Sequence, residues 1–148
     1  MADPAGAVQA SVIARLRGDA TLQGLMTGAS SPEWNIYDQG GSGANVPLWP
    51  YVFIHPITTQ LGEIFAMGMD SMDVFLQVSV FTQGEGFAQA RAIAARCYAL
   101  LHGPLAGALS VTGFTNVLTL FANRQELEEV HDRLVQHIVD RYKVVIAG

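Results

Sequence analysis

Three glycines, Gly40, Gly41 and Gly43, fall within four positions in the stretch DQGGSGANVPLWPYVFIHP (38–56). A glycine-rich loop can cradle a phosphate when it leaves a strand, enters a helix and carries a lysine. The last two conditions are not met. The loop runs into an apolar, proline-bracketed segment that reads as a strand. The only lysine is Lys143, and Val46 stands where G-x-G-x-x-G needs its last glycine. The stretch therefore reads as a connector that ends at Pro47 and Pro50 and sets the start of a core strand. Trp49, between those prolines, is either a lid over the core or a first contact with a partner.

The other groups able to do chemistry are scattered. His55, His102, His131 and His137 include no i, i+4 helical pair and no H-E-x-x-H, so they do not form a zinc signature. The lone cysteine, Cys97, sits in an alanine-rich segment and reads as a buried, inert thiol, and one cysteine allows no intrachain disulfide. No G-x-S-x-G occurs. Asp70 and Asp73 flank a strand start as turn residues do, ELEE (126–129) reads as a solvated turn, and Arg91 and Arg96 read as a solvated helix face. No set of residues supports catalysis, a metal or a cofactor.

The elements that would position these groups follow from periodicity. Residues 5–17 read as a helix with Val8, Val12, Ile13 and Leu16 on one side, interrupted at Gly18. Asp19 reads as the N-cap of a short second turn carrying Leu22, Leu25 and Met26. NIYD (35–38) is a possible short strand and PYVFIHPI (50–57) a better one, with Pro56 marking a sheet edge or bulge. In MDVFLQVSVFT (72–82), Val74, Leu76, Val78 and Val80 alternate with Asp73, Gln77 and Ser79, the period-two signature of a strand. Residues 58–71 between these strands read as a long hairpin connection. Residues 87–102 are helical, with Phe87, Ala90, Ala94, Cys97, Tyr98 and Leu101 in one stripe, and Gly103-Pro104 stops them. Residues 111–122 read as a strand. Leu127, Val130, Leu134 and Ile138 stand at helical spacing, so 124–132 is predicted as a turn or short helical segment, followed by a final strand over about 133–146.

The expected fold is α+β: a mainly antiparallel sheet of about four strands, with two helices packed on one face, in the order α-β-β-α-β-β. The chain has 148 residues, half of them apolar and 14% charged, with a formal net charge of −5. That composition suits one globular domain, argues against disorder, and disfavours a basic nucleic-acid-binding surface. No 18-residue uncharged apolar run and no basic leader before an apolar block occur, so neither a membrane span nor a signal peptide is expected. So few charges on so small a domain suggest that part of the surface is buried in an oligomer.

The ordered series DATLQGLMTG, IYDQ…VPLWPYVFI and DVFLQVSVFTQGEGFAQARAIAARCYALLHG resembles the phage tail-completion or tail-terminator proteins of siphovirus-type tails, over residues 19–146. The departures are a longer glycine-rich insert before Pro47 and an acidic QELEEVHD segment. The resemblance implies one tail-terminator-like domain over 1–148 and a non-enzymatic virion protein. Such a protein forms a homo-oligomer, a hexameric ring at the head-proximal end of the tail tube, which ends tube growth and meets the tail tube protein and the neck or connector. DNA would pass through the ring without specific binding, past an acidic wall that repels phosphate. Ile64, Phe65, Met67 and Met69 have no evident place in a hairpin core and are expected to contact a neighbouring subunit or the tube; Gly41, Gly43 and Trp49 are further contact candidates. A neck or head-completion protein, the tube protein itself, and a small ligand-binding α+β domain are the competing readings.

Overall fold

The computed structural model describes residues 3–26, 36–38, 50–61, 71–84, 86–103, 109–130 and 134–148. Helix α1 (Pro4–Arg17) starts where Asp3 accepts a hydrogen bond from the Gly6 N–H and Pro4 supplies a preset helical φ; it ends at Gly18. Helix α2 (Ala20–Leu25) is capped by Asp19, as the sequence predicts. Strands β1 (Ile36–Tyr37), β2 (Tyr51–Leu61) and β3 (Ser71–Gln83) follow, then helix α3 (Ala88–Leu101), then β4 (Thr115–Val130) and β5 (Leu134–Ala147). The sheet order is β1-β2-β3-β5-β4. The β1–β2 pair is parallel and the other three are antiparallel.

The α+β class and the mainly antiparallel sheet stand, while the element count is corrected to five strands and three helices among the described residues. The additions are the two-residue strand at Ile36–Tyr37 and the short helix after Asp19. The larger correction lies at 124–130. This segment is neither turn nor helix but the second half of a 16-residue strand, paired without a break from Asn123↔Arg141 to Val130↔Leu134.

One face of the sheet meets all three helices. Val52, Ile54, Val74, Leu76, Val78, Val80, Ile138, Tyr142, Val144 and Ile146 close on Val8, Val12, Leu16, Leu22, Ala90, Ile93, Ala94, Cys97 and Leu101. All the strand residues in this set are even-numbered, as the two-residue repeat of a strand demands. Burying a Val, Leu or Ile side chain of this kind contributes about 1.5–3 kcal/mol relative to exposure. Tyr98, predicted in the buried stripe, is 39% exposed; Ile93 and Leu100 take the inward positions instead.

Asp73 and Ser79 also depart from expectation. They lie on the face away from the helices, yet both are buried, and Asp73 Oδ2 stands 3.2 Å from Lys143 Nζ. Asp73 is thus a strand residue in an ion pair, not a turn residue. Pro56 behaves as its chemistry dictates: the β2–β3 register shifts between Pro56 and Thr58, since proline offers no N–H to the ladder.

Candidate assembly interface

Strand β4 forms one edge of the sheet, and its two halves differ. In the first half the chain leaving α3 closes the edge. Gly103 pairs with Thr119 through reciprocal backbone bonds of 2.9 and 3.3 Å. The Phe121 N–H donates to His102 Nδ1 at 3.0 Å. Gly103 holds φ +143°, a conformation that glycine adopts readily and other residues resist. His102 stacks on Tyr98 at 4.6 Å, and the Tyr98 and Phe121 rings meet edge to face at 5.6 Å. A register shift between Phe121 and Asn123 ends this covered portion.

Beyond it, β4 and β5 run on together as a hairpin end that overhangs the helix layer, with β5 still paired to β3 as far as Val135. Two bidentate ion pairs fix its base on the helix side. Arg124 donates to Asp140 at 2.7 and 2.8 Å, with Asp140 fully buried. Arg91, in the first turn of α3, donates to Glu126 at 2.9 and 2.7 Å. That pairing holds the Glu126 carboxyl below its ordinary range and raises the Arg91 guanidinium. A similar fork joins Arg96 to Asp19 at 2.8 and 2.7 Å; the hydrogen bonds from Arg96 lead the effects that lower the Asp19 carboxyl to about 2. Arg91 and Arg96 are therefore not a bare solvated face. Past Glu126 the same side of the overhang carries Glu128, Val130 and, opposite Val130, Leu134. Val130 is 76% exposed and Leu134 37%.

The far edge of the sheet is built differently. Arg17 donates to the Ile36 carbonyl at 2.6 Å, and Gln9 bridges the Asp38 and Ile54 carbonyls. These bonds tie α1 to β1 and β2. Between α1 and this edge lies a groove of about 560 Å³, lined by Gln9, Ala10, Ile13, Ala14, Arg17 and Asp38 among others.

On the face away from the helices, Tyr51, Phe81 and His137 stand in one cross-strand row. Phe81 stacks on Tyr51 at 4.7 Å and on His137 at 3.9 Å. Burial pushes the His137 imidazole below its ordinary pKa, against an opposing pull from Glu129, whose carboxylate lies 3.9 Å away. His55 is lowered by burial too and packs against Phe53. Cys97 is buried under α3, and its thiol is pushed up to about 12, chiefly by burial. A thiol held that far from thiolate is a poor nucleophile. Among the described residues no three His, Cys, Asp or Glu side chains come together as a metal site.

The contact candidates Gly41, Gly43, Trp49, Ile64, Phe65, Met67 and Met69 all lie outside the described residues, as do Asp70 and His131. What the sequence reading missed is the overhang itself, with Arg124, Glu126, Glu128, Val130 and Asp140. The available signal was the uninterrupted absence of glycine and proline from 114 to 147.

A comparison with curated protein sequences found no match. Among solved structures, a chain of the virion of a native gene transfer agent particle superposes with a TM-score of 0.72 at 23% identity, over 97% of this chain and 96% of that one. A second solved chain aligns at a TM-score of 0.55 and 17% identity, over 97% and 94%. At these identities the likeness is one of fold. The family described as "Tail completion protein gp17" matches residues 10–147, and the chain belongs to that family of virion tail components.

Proposed function

We propose that the chain is the ring subunit at the head-proximal end of a phage-type tail tube, where it ends tube growth and offers a surface to the neck or connector. Membership of a tail completion family over nearly the whole chain carries this reading. The fold supports it: the two edges of the sheet differ, one an ion-paired overhang and the other a helix-backed groove. Unlike surfaces at opposite edges favour head-to-tail contacts, the kind that close into rings. The net charge of −5 suits a passage for DNA, since like charge keeps phosphate from adhering. The chain serves in structure rather than catalysis on this reading.

The segment 64–69, with Ile64, Phe65, Met67 and Met69, and the residues Gly41, Gly43 and Trp49 are the proposed further contacts to a neighbouring subunit or the tube. The decisive experiment is the native mass of the purified protein, alone and with tail tubes, combined with negative-stain microscopy. Closed single rings on tube ends support termination, whereas long stacks of this chain would make it the tube subunit. Deletion of 64–69 should impair assembly; normal tails of normal length would remove that segment from the interface.

A further inference from the structure

We propose that the underside of the β4–β5 overhang in one copy seats on the α1 groove of the next, so that Val130 and Leu134 enter the groove and Glu128 meets Arg17. The inference rests on the ring reading and names its interface. Four observations lead to it.

First, the helix layer ends before the sheet does. Glu126 is held by Arg91 in the first turn of α3, and the alternation beyond it puts Glu128 and Val130 on the same side, past the end of that helix. A sheet face that carries apolar side chains needs a layer over it. Second, the exposed side of α1 is apolar and small: Ala10 and Ala14 are exposed there, next to Arg17. A helix face of that kind ordinarily packs against something. Third, the charges match. Arg17 donates to a backbone carbonyl and has no carboxylate partner among the described residues, and Glu128 is an exposed carboxylate with no ion-pair partner among them. Fourth, α1 is tied to β1 and β2 while the overhang is the end of the β4–β5 hairpin, separated from them by β3 in the sheet order. One chain cannot bring the two surfaces together, but two copies related head to tail can. In effect α1 of each copy supplies the missing helix layer of its neighbour.

The test uses the full chain and native mass spectrometry. Glu128→Arg and Arg17→Glu should each shift the protein from ring mass to single-chain mass at a concentration where the unaltered chain is assembled. The combined reversal should restore the ring. Should Arg17→Glu fail to fold, an Ala10→Cys/Val130→Cys chain decides independently: mild oxidation should give a covalent ladder of multiples, and neither chain with only one of the two substitutions should. Rings that persist through both reversals, or rings that form without a ladder, would overturn this interface and leave the ring reading intact. Single-chain mass at every concentration, with and without tail tubes, would remove the ring reading itself and the interface with it.

Discussion

Arg124 and Asp140 face each other across the β4–β5 ladder, and two hydrogen bonds of 2.7 and 2.8 Å join them at the base of the overhang, where β5 is still paired with β3. Asp140 is fully buried, while Arg124 retains some exposure. Removing the guanidinium would strand a carboxylate away from water, which costs about 3 kcal/mol for a buried pair broken on one side. Arg124→Ala should therefore lower stability by about that amount in urea unfolding. Replacing both partners with leucine should cost much less, because no charge is left behind. Equal losses in the two variants would show that the pair is not what holds the overhang's base.

Asp19 performs two tasks at once. It caps α2 through the Leu22 N–H and receives both forks of Arg96 from α3. Its carboxyl is lowered from 3.8 to about 2, led by the Arg96 hydrogen bonds. A carboxyl lowered in the folded state stabilises the fold above the unfolded value and loses that contribution as the pH falls through the folded one. Stability should thus decline between pH 3.8 and about 2, and Asp19→Asn should flatten that part of the profile. Loss of the cap alone is worth about 1 kcal/mol, so Asp19→Ala should be destabilising at neutral pH as well. Thermal melts across the acid range measure both effects.

The contrast between β3 and β4 explains how much of this fold was legible in the sequence. In β3, Val74, Leu76, Val78 and Val80 all face the helices and are buried, so burial imposes a two-residue repeat that can be read directly. In β4, residues 122–126 are exposed on both faces. Nothing there forces alternation, and Leu127, Val130 and Leu134 fall at helical spacing without forming a helix. The same overhang carries the proposed interface, so the least legible segment is also the one on which that proposal rests. Tyr98 misleads for a related reason: its ring lies in the helical stripe but caps His102 and Phe121 at the surface. The capping of α2 by Asp19 and the bulge at Pro56 depend on local chemistry alone, and both were readable.

His102 closes an edge of the sheet. Its Nδ1 accepts the Phe121 N–H, and the adjacent Gly103 pairs with Thr119 at φ +143°. His102→Ala should cost about 1 kcal/mol, the usual net worth of one hydrogen bond, and should speed hydrogen exchange at the Phe121 amide. Gly103→Ala should also destabilise, by about 1–2 kcal/mol, through backbone strain. An unchanged Phe121 exchange rate in His102→Ala would mean that the imidazole does not cover this edge.

His137 gives the fold a second pH dependence. Burial lowers its imidazole from 6.5, only partly offset by Glu129. A histidine lowered in this way favours the fold while neutral, so its contribution is present above pH 6.5 and is lost as the pH drops through the folded value. His55 is lowered by the same cause and adds to the trend. His137→Phe keeps the stack with Phe81 and removes the titration. The unaltered chain should lose stability on acidification from pH 6.5, and the variant should lose less; identical pH profiles would assign the effect elsewhere.

Among the described residues, Tyr142 is the largest fully buried side chain and its hydroxyl has no hydrogen-bond partner. Its ring packs edge to face with Phe121 at 5.7 Å. Burial leads the effects that push the phenol far above its ordinary pKa, so the group stays neutral at any working pH. A buried hydroxyl without a partner costs desolvation and returns nothing, about 1 kcal/mol or more. Tyr142→Phe keeps the ring and its contacts while deleting that oxygen. The variant should therefore be as stable as the unaltered chain or more so, by up to about 1 kcal/mol in denaturant unfolding. A clear loss of stability would reveal a partner for the hydroxyl, a bound water between β5 and α3 being the first to seek by high-resolution crystallography.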